Sequence, residues 1–124
     1  MNESVRDSGF SQFVEFTVDP LHVQGLVTAL ITRAKQFTCF YPGFISAQVH
    51  VSDEGERVLM KFLWSSRADG EHALELAKTV EPDLFHLARQ HHASALLFST
   101  YHAVAEVRVS TDGPLAGVEA YEKP

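Results

Sequence analysis

The chain has 124 residues, about the size of one domain and long enough to bury a single core. Its formal net charge of −6, with no run of Lys and Arg, argues against non-specific binding to nucleic acid or to an anionic membrane. A single cysteine, Cys39, excludes an intrachain disulfide and fits a reducing cytoplasm, and no apolar run approaches the ~18 residues of a membrane helix.

The opening "MNESVRDSGFSQF" has no apolar stretch of the signal-peptide kind. Residues 1–11 read as a flexible lead, residues 12–111 as one domain and residues 112–124 as a tail. "FVEFTV", Phe13 to Val18, is rich in β-branched and aromatic residues and predicts a first strand. "DP" then opens a helix, Asp19 capping it and Pro20 standing in the first turn, where a missing N–H costs nothing. Val23, Leu26, Val27, Leu30, Ile31, Ala34 and Phe37 recur at helical spacing, and His22, Thr28, Thr32, Arg33, Lys35 and Gln36 take the other face. The helix should stop near "YPG".

"FISAQVHV" alternates, with Ile45, Ala47, Val49 and Val51 facing one way and Ser46, Gln48 and His50 the other. The turn "SDEGE" and the strand "RVLMKFLWSS" complete a hairpin. Val58, Met60, Phe62 and Trp64 share one face of the return strand, and the other face is partly apolar, so both sides need cover. A helix follows from about Asp69 to Thr79, then a second from about Pro82 to His91, because Pro82 cannot sit inside a regular helix. "FSTYHAVAEVRVS" predicts the last strand.

The order β-α-β-β-α-β predicts an α+β, ferredoxin-like fold: a four-stranded antiparallel sheet with helices on one face. The bare sheet face would be covered most simply by a second copy, as a homodimer joined through the sheet faces.

"YPGF" before the second strand, the "HVSDEGERV" hairpin and "LWSS" closing the third strand resemble the antibiotic biosynthesis monooxygenase superfamily, over roughly Phe13 to Val109. The resemblance implies a dimeric α/β barrel and an oxygenase of aromatic polyketide biosynthesis. Such enzymes oxidise an electron-rich polycyclic phenol or anthrone with O2 and hold no tightly bound metal or flavin. Ring-cleaving relatives draw on reduced flavin (FMNH2 or FADH2) as a diffusible co-substrate. Trp64 matches the family's Trp at the end of strand three. Four residues earlier, where the cofactor-free enzymes carry Asn, this chain has Met60, and its single Asn is Asn2. Gly70 stands where a Tyr would follow the Trp by six residues. The haem-degrading pattern lacks its strand-one Asn.

In this reading Trp64 stacks on a flat ring, Met60 and Phe62 line the same pocket, and Tyr41 or Tyr101 hydrogen-bonds the substrate. Seven histidines are unusual for this length. Histidine is the natural base for a phenol or enol, and deprotonation makes a carbanion-like ring carbon that can pass an electron to O2. The candidate catalytic residues are His50 and His102 on strands and His72 and His86 on helices. No metal-ligand spacing and no glycine-rich nucleotide loop appears, so no metal site is expected. Two other readings compete: a non-oxidative polyketide cyclase or isomerase on the same fold, and a ligand-binding dimer with a degenerate pocket.

Overall fold

A computed structural model describes residues 9–109. Strand β1 spans Phe10–Val18, helix α1 Val23–Gln36, strands β2 and β3 Phe44–Val51 and Arg57–Trp64, helices α2 and α3 Arg67–Val80 and Leu84–Gln90, and strand β4 Ala93–His102. The sheet is antiparallel throughout, in the order β2-β3-β1-β4. This is the expected ferredoxin-like α+β fold, with all three helices on one face. Among the described residues no helix is long and apolar enough to cross a membrane.

β1 begins earlier than expected. Phe10 and Ser11 are buried strand residues opposite Trp64 and Leu63, not part of a lead. The register puts Phe10, Gln12, Val14, Phe16 and Val18 under the helices, and the polar Gln12 hid that alternation in the sequence. Residues 1–8 of the expected lead, and the expected tail over 112–124, lie outside the described residues.

β4 is displaced from its expected span. It runs over Ala93–His102 rather than from Phe98 to Ser110. A strand lasts as long as its partner does: Phe10 pairs with His102, Ala103 N–H donates to the Gly9 carbonyl at 2.9 Å, and residues 103–109 then form no ladder. Ser110 lies outside the described residues. At the other end His92 adopts φ 61° and turns the chain out of α3 straight into the sheet.

Local signals set the helices. Asp19 accepts from the Leu21 N–H in a short 3-10 turn, Pro20–His22, ahead of α1. Ser66 caps α2 by accepting from Asp69 N–H at 3.1 Å, and Asp83 caps α3, which starts at Leu84 rather than near Pro82. The core lies between helices and sheet, where Phe16, Leu26, Leu30, Val58, Met60 and Trp64 are almost fully buried. Each such side chain contributes on the order of 1.5–3 kcal/mol through burial.

Among the described residues no element covers the sheet's other face. Phe13 and Tyr101 meet edge to face there at 5.2 Å, beside Leu59 and Leu97, in a broad apolar hollow.

Candidate functional site

Gly70, Ala73 and Ala77 recur at helical spacing on the side of α2 that faces the sheet. Gly70 allows close packing, since a Cβ there would come 2.5 Å from the Phe10 ring and 3.1 Å from Trp64. Beside it, the two alanines are too short to fill the space above Phe62 and Trp64. The result is a half-open apolar cavity of about 110 Å³ between α2 and the sheet. Leu74, Leu84 and Phe98 flank it, the first and last about half exposed.

Trp64 is 1% exposed and locked in place. Its Nε1–H donates to Gln12 Oε1 at 2.9 Å, Gln12 Nε2 donates to the Gly70 carbonyl at 3.0 Å, and Phe44 packs against the indole at 80°. The indole N–H is therefore already used, and the ring serves the cavity as an apolar wall.

One end of the cavity is polar. Arg33 of α1 meets Glu81, at the break between α2 and α3, at 2.9 Å, and their side chains are 9% and 1% exposed. Arg33 Nε also donates to the Pro82 carbonyl at 3.0 Å, and Thr38 Oγ1 donates to the Glu81 carboxylate at 3.3 Å. Loss of hydration lowers the Arg33 pKa, with Glu81 pulling it back up. A guanidinium nevertheless stays cationic, so the pair is neutral overall. Tyr41, in the turn after the 3-10 segment Thr38–Phe40, completes this end. Among the described residues its hydroxyl is shielded from solvent and has no partner in hydrogen-bond geometry. Burial first, then interaction of the O–H with the nearby Glu81 carboxylate, push its pKa well above the usual tyrosine value, although the two groups fall outside hydrogen-bond geometry.

Of the expected site residues, Tyr41, Phe62 and Trp64 share this cavity. Met60 is buried on the same face of β3, but it lies further along the strand, against a groove formed with Val27, Ile31 and Ala34 of α1. Tyr101 is on the bare sheet face with Phe13. None of the four histidines lines the cavity. His50 is exposed on β2, bonded to Gln48 at 3.1 Å. His72 and His86 are exposed on α2 and α3, and His102 is exposed at the end of β4. Strand parity puts His50 outside, His102 sits at the exposed end of β4, and helix position leaves His72 and His86 in solvent.

Gln12, Arg33, Thr38 and Glu81 were missed. Arg33, placed by its charge on the solvent face of α1, is 8% exposed and shares the buried stripe with Leu26, Leu30 and Ala34. Spacing held the signal, because position 33 follows 26 and 30 on one helical face. Among the described residues no three His, Cys, Asp or Glu side chains gather as a metal-ligand set.

No family model and no curated protein sequence matches the chain. Solved structures do. A monooxygenase from the ActVA-Orf6 gene of Streptomyces coelicolor, in complex with nanaomycin D, is 21% identical with a TM-score of 0.72, over 86% of this chain and 96% of that one. SnoaB, a cofactor-independent oxygenase from Streptomyces nogalater, is 16% identical with a TM-score of 0.57, over 80% and 96%. A dimeric ferredoxin-like protein from an uncultured marine organism is 12% identical with a TM-score of 0.66, over 89% and 100%. The resemblance expected from the sequence thus holds at the level of fold: the chain has the fold of the antibiotic biosynthesis monooxygenases.

Proposed function

From that fold as premise, we propose that the chain is an oxygenase of a flat, electron-rich phenol or anthrone of the aromatic polyketide kind. The observation that carries the proposal is the cavity: an aromatic wall of Phe62 and Trp64, an apolar mouth, and one polar end. Its enclosed part is smaller than the ~150 Å³ engineered cavity known to hold benzene. It therefore seats at most one ring, and the remaining rings of a polycycle would extend through the open side past Leu74, Leu84 and Phe98. In an anthrone the reaction converts the ring CH2 to a carbonyl. O2 supplies that oxygen, and the two hydrogens leave with the second oxygen atom as water. The two Streptomyces oxygenases of like fold support this chemistry, and one of them is described as cofactor-independent. Reduced flavin as a diffusible co-substrate is the variant, in line with Met60 standing where the cofactor-free enzymes carry Asn.

The test is O2 consumption by the purified protein with an anthrone, with and without reduced flavin, following product mass. Uptake and a quinone product without flavin are expected. Uptake above the flavin background, only when flavin is added, selects the variant. A product of unchanged mass replaces the oxygenase by a cyclase or isomerase.

The bare sheet face is the surface for a second copy. Leu97 and Tyr101 there are each more than half exposed, a liability in a lone chain and an interface in a homodimer. Light scattering should give twice the chain mass, and Leu97→Asp, which buries a charge in that interface, should give the mass of one chain. A wild-type monomer at micromolar concentration would sink the proposal.

A further inference from the structure

Among the described residues one buried side-chain polar atom has no hydrogen-bond partner, the Tyr41 hydroxyl oxygen. It lies at the polar end of the cavity. Buried polar groups are nearly always paired, because leaving one unpaired costs stability, so an exception calls for a reason. We infer that Tyr41 is the group that recognises the ligand, its O–H donating a hydrogen bond to a carbonyl or phenolic oxygen on the ring that fills the cavity. The inference rests on the reading of this cavity as an aromatic-ligand site.

Exclusion among the neighbours supports it. The Trp64 N–H is held by Gln12, and the Gln12 amide nitrogen is held by the Gly70 carbonyl. The Thr38 hydroxyl donates to Glu81. The charge of Arg33 is balanced at 2.9 Å by Glu81, so this end offers no net charge to a carboxylate. Ser99 and Thr100 of β4 also line the cavity, but neither is buried. What remains as a buried neutral donor is the Tyr41 O–H, beside Glu81 but outside hydrogen-bond geometry with it. That suits a ring bearing a keto or hydroxyl oxygen better than a plain hydrocarbon or an aromatic acid. Burial and the Glu81 carboxylate both hold the hydroxyl in its protonated form, so it stays a donor into the alkaline range. Such a donor also favours the ligand in its phenolate or enolate form, the form that reacts with O2, because the hydrogen bond strengthens as the oxygen gains charge.

The experiment is equilibrium dialysis of the full chain against 1-naphthol and against naphthalene, for the wild type and Tyr41→Phe, with Tm measured in parallel. The variant keeps the ring and removes only the unpaired hydroxyl. Its Tm should be unchanged or raised, its affinity for 1-naphthol about tenfold weaker, and its affinity for naphthalene unchanged. Equal loss of both ligands together with a lowered Tm would make Tyr41 a structural residue and overturn the inference. Unaltered 1-naphthol binding would overturn it as well, while leaving the cavity as an aromatic site. Binding of neither compound by the wild type would remove the cavity reading itself, and this inference with it.

Discussion

Arg33→Met should destabilise the protein by about 3–5 kcal/mol, the cost expected when one partner of a buried ion pair is removed. The loss is large because of what stays behind. The Glu81 side chain is 1% exposed, and without Arg33 its carboxylate keeps, among the described residues, just the Thr38 hydroxyl and the nearby Tyr41 O–H, neither of them charged. The Pro82 carbonyl also loses the donor that Arg33 Nε supplies. Methionine fills much of the same channel, so lost packing volume explains little of the effect. The double variant Arg33→Met/Glu81→Leu removes both charges and should recover most of the stability, since a well-packed apolar pair commonly equals a buried ionic one. Urea denaturation of the wild type, the single and the double variant forms the cycle. Exposed pairs set the contrast: Lys78 and Glu75 meet at 3.2 Å with side chains about 70% exposed, and Lys78→Ala should change stability by less than about 1 kcal/mol. A cost for Arg33→Met as small as that would mean that water reaches Glu81.

Trp64→Ala should cost about 3–5 kcal/mol and abolish ring binding. The indole is 1% exposed and fills the space between Phe10, Phe44 and α2, so its removal opens a void where the core joins the cavity. Trp64→Phe separates two contributions. It keeps an aromatic wall but leaves Gln12 Oε1 without its 2.9 Å donor, so it should cost about 1–3 kcal/mol with a smaller loss of affinity. Adding Gln12→Leu to Trp64→Phe should restore part of that stability by removing the stranded amide. Chemical denaturation followed by circular dichroism reads the stability, and calorimetry with 1-naphthol reads binding. If Trp64→Ala binds 1-naphthol like the wild type, the ring site is elsewhere.

These two variants probe groups of different legibility. Trp64 could be read from the chain alone. Strand parity put it with Val58, Met60 and Phe62 on one face of a hairpin strand, and the structure buries all four. The order of elements and the break at Pro82 were equally plain, because alternation, helical spacing and proline are local effects of backbone geometry. Arg33 was not read correctly, although the spacing of Leu26, Leu30 and Arg33 was visible. Charge suggested solvent, and only a partner 48 positions away, Glu81, makes its burial tolerable. Gln12 was lost in the same way, as its amide is satisfied by Trp64 and Gly70, 52 and 58 positions away. The histidines differ in the opposite direction: their chemistry suited the reaction, but His50, His72, His86 and His102 do not line the cavity.

Local chemistry along the chain was thus enough for the strands, the helices, the fold and the aromatic wall. The strand ends, the pairing of Arg33 with Glu81 and the isolation of the Tyr41 hydroxyl depended on the packed form. A strand stops where its neighbour does, and a buried polar group survives where distant residues meet its hydrogen bonds. Tyr41 lies beside Glu81 because α1, its following turn and the α2–α3 break converge over one end of the sheet, and no periodicity in the chain encodes that meeting.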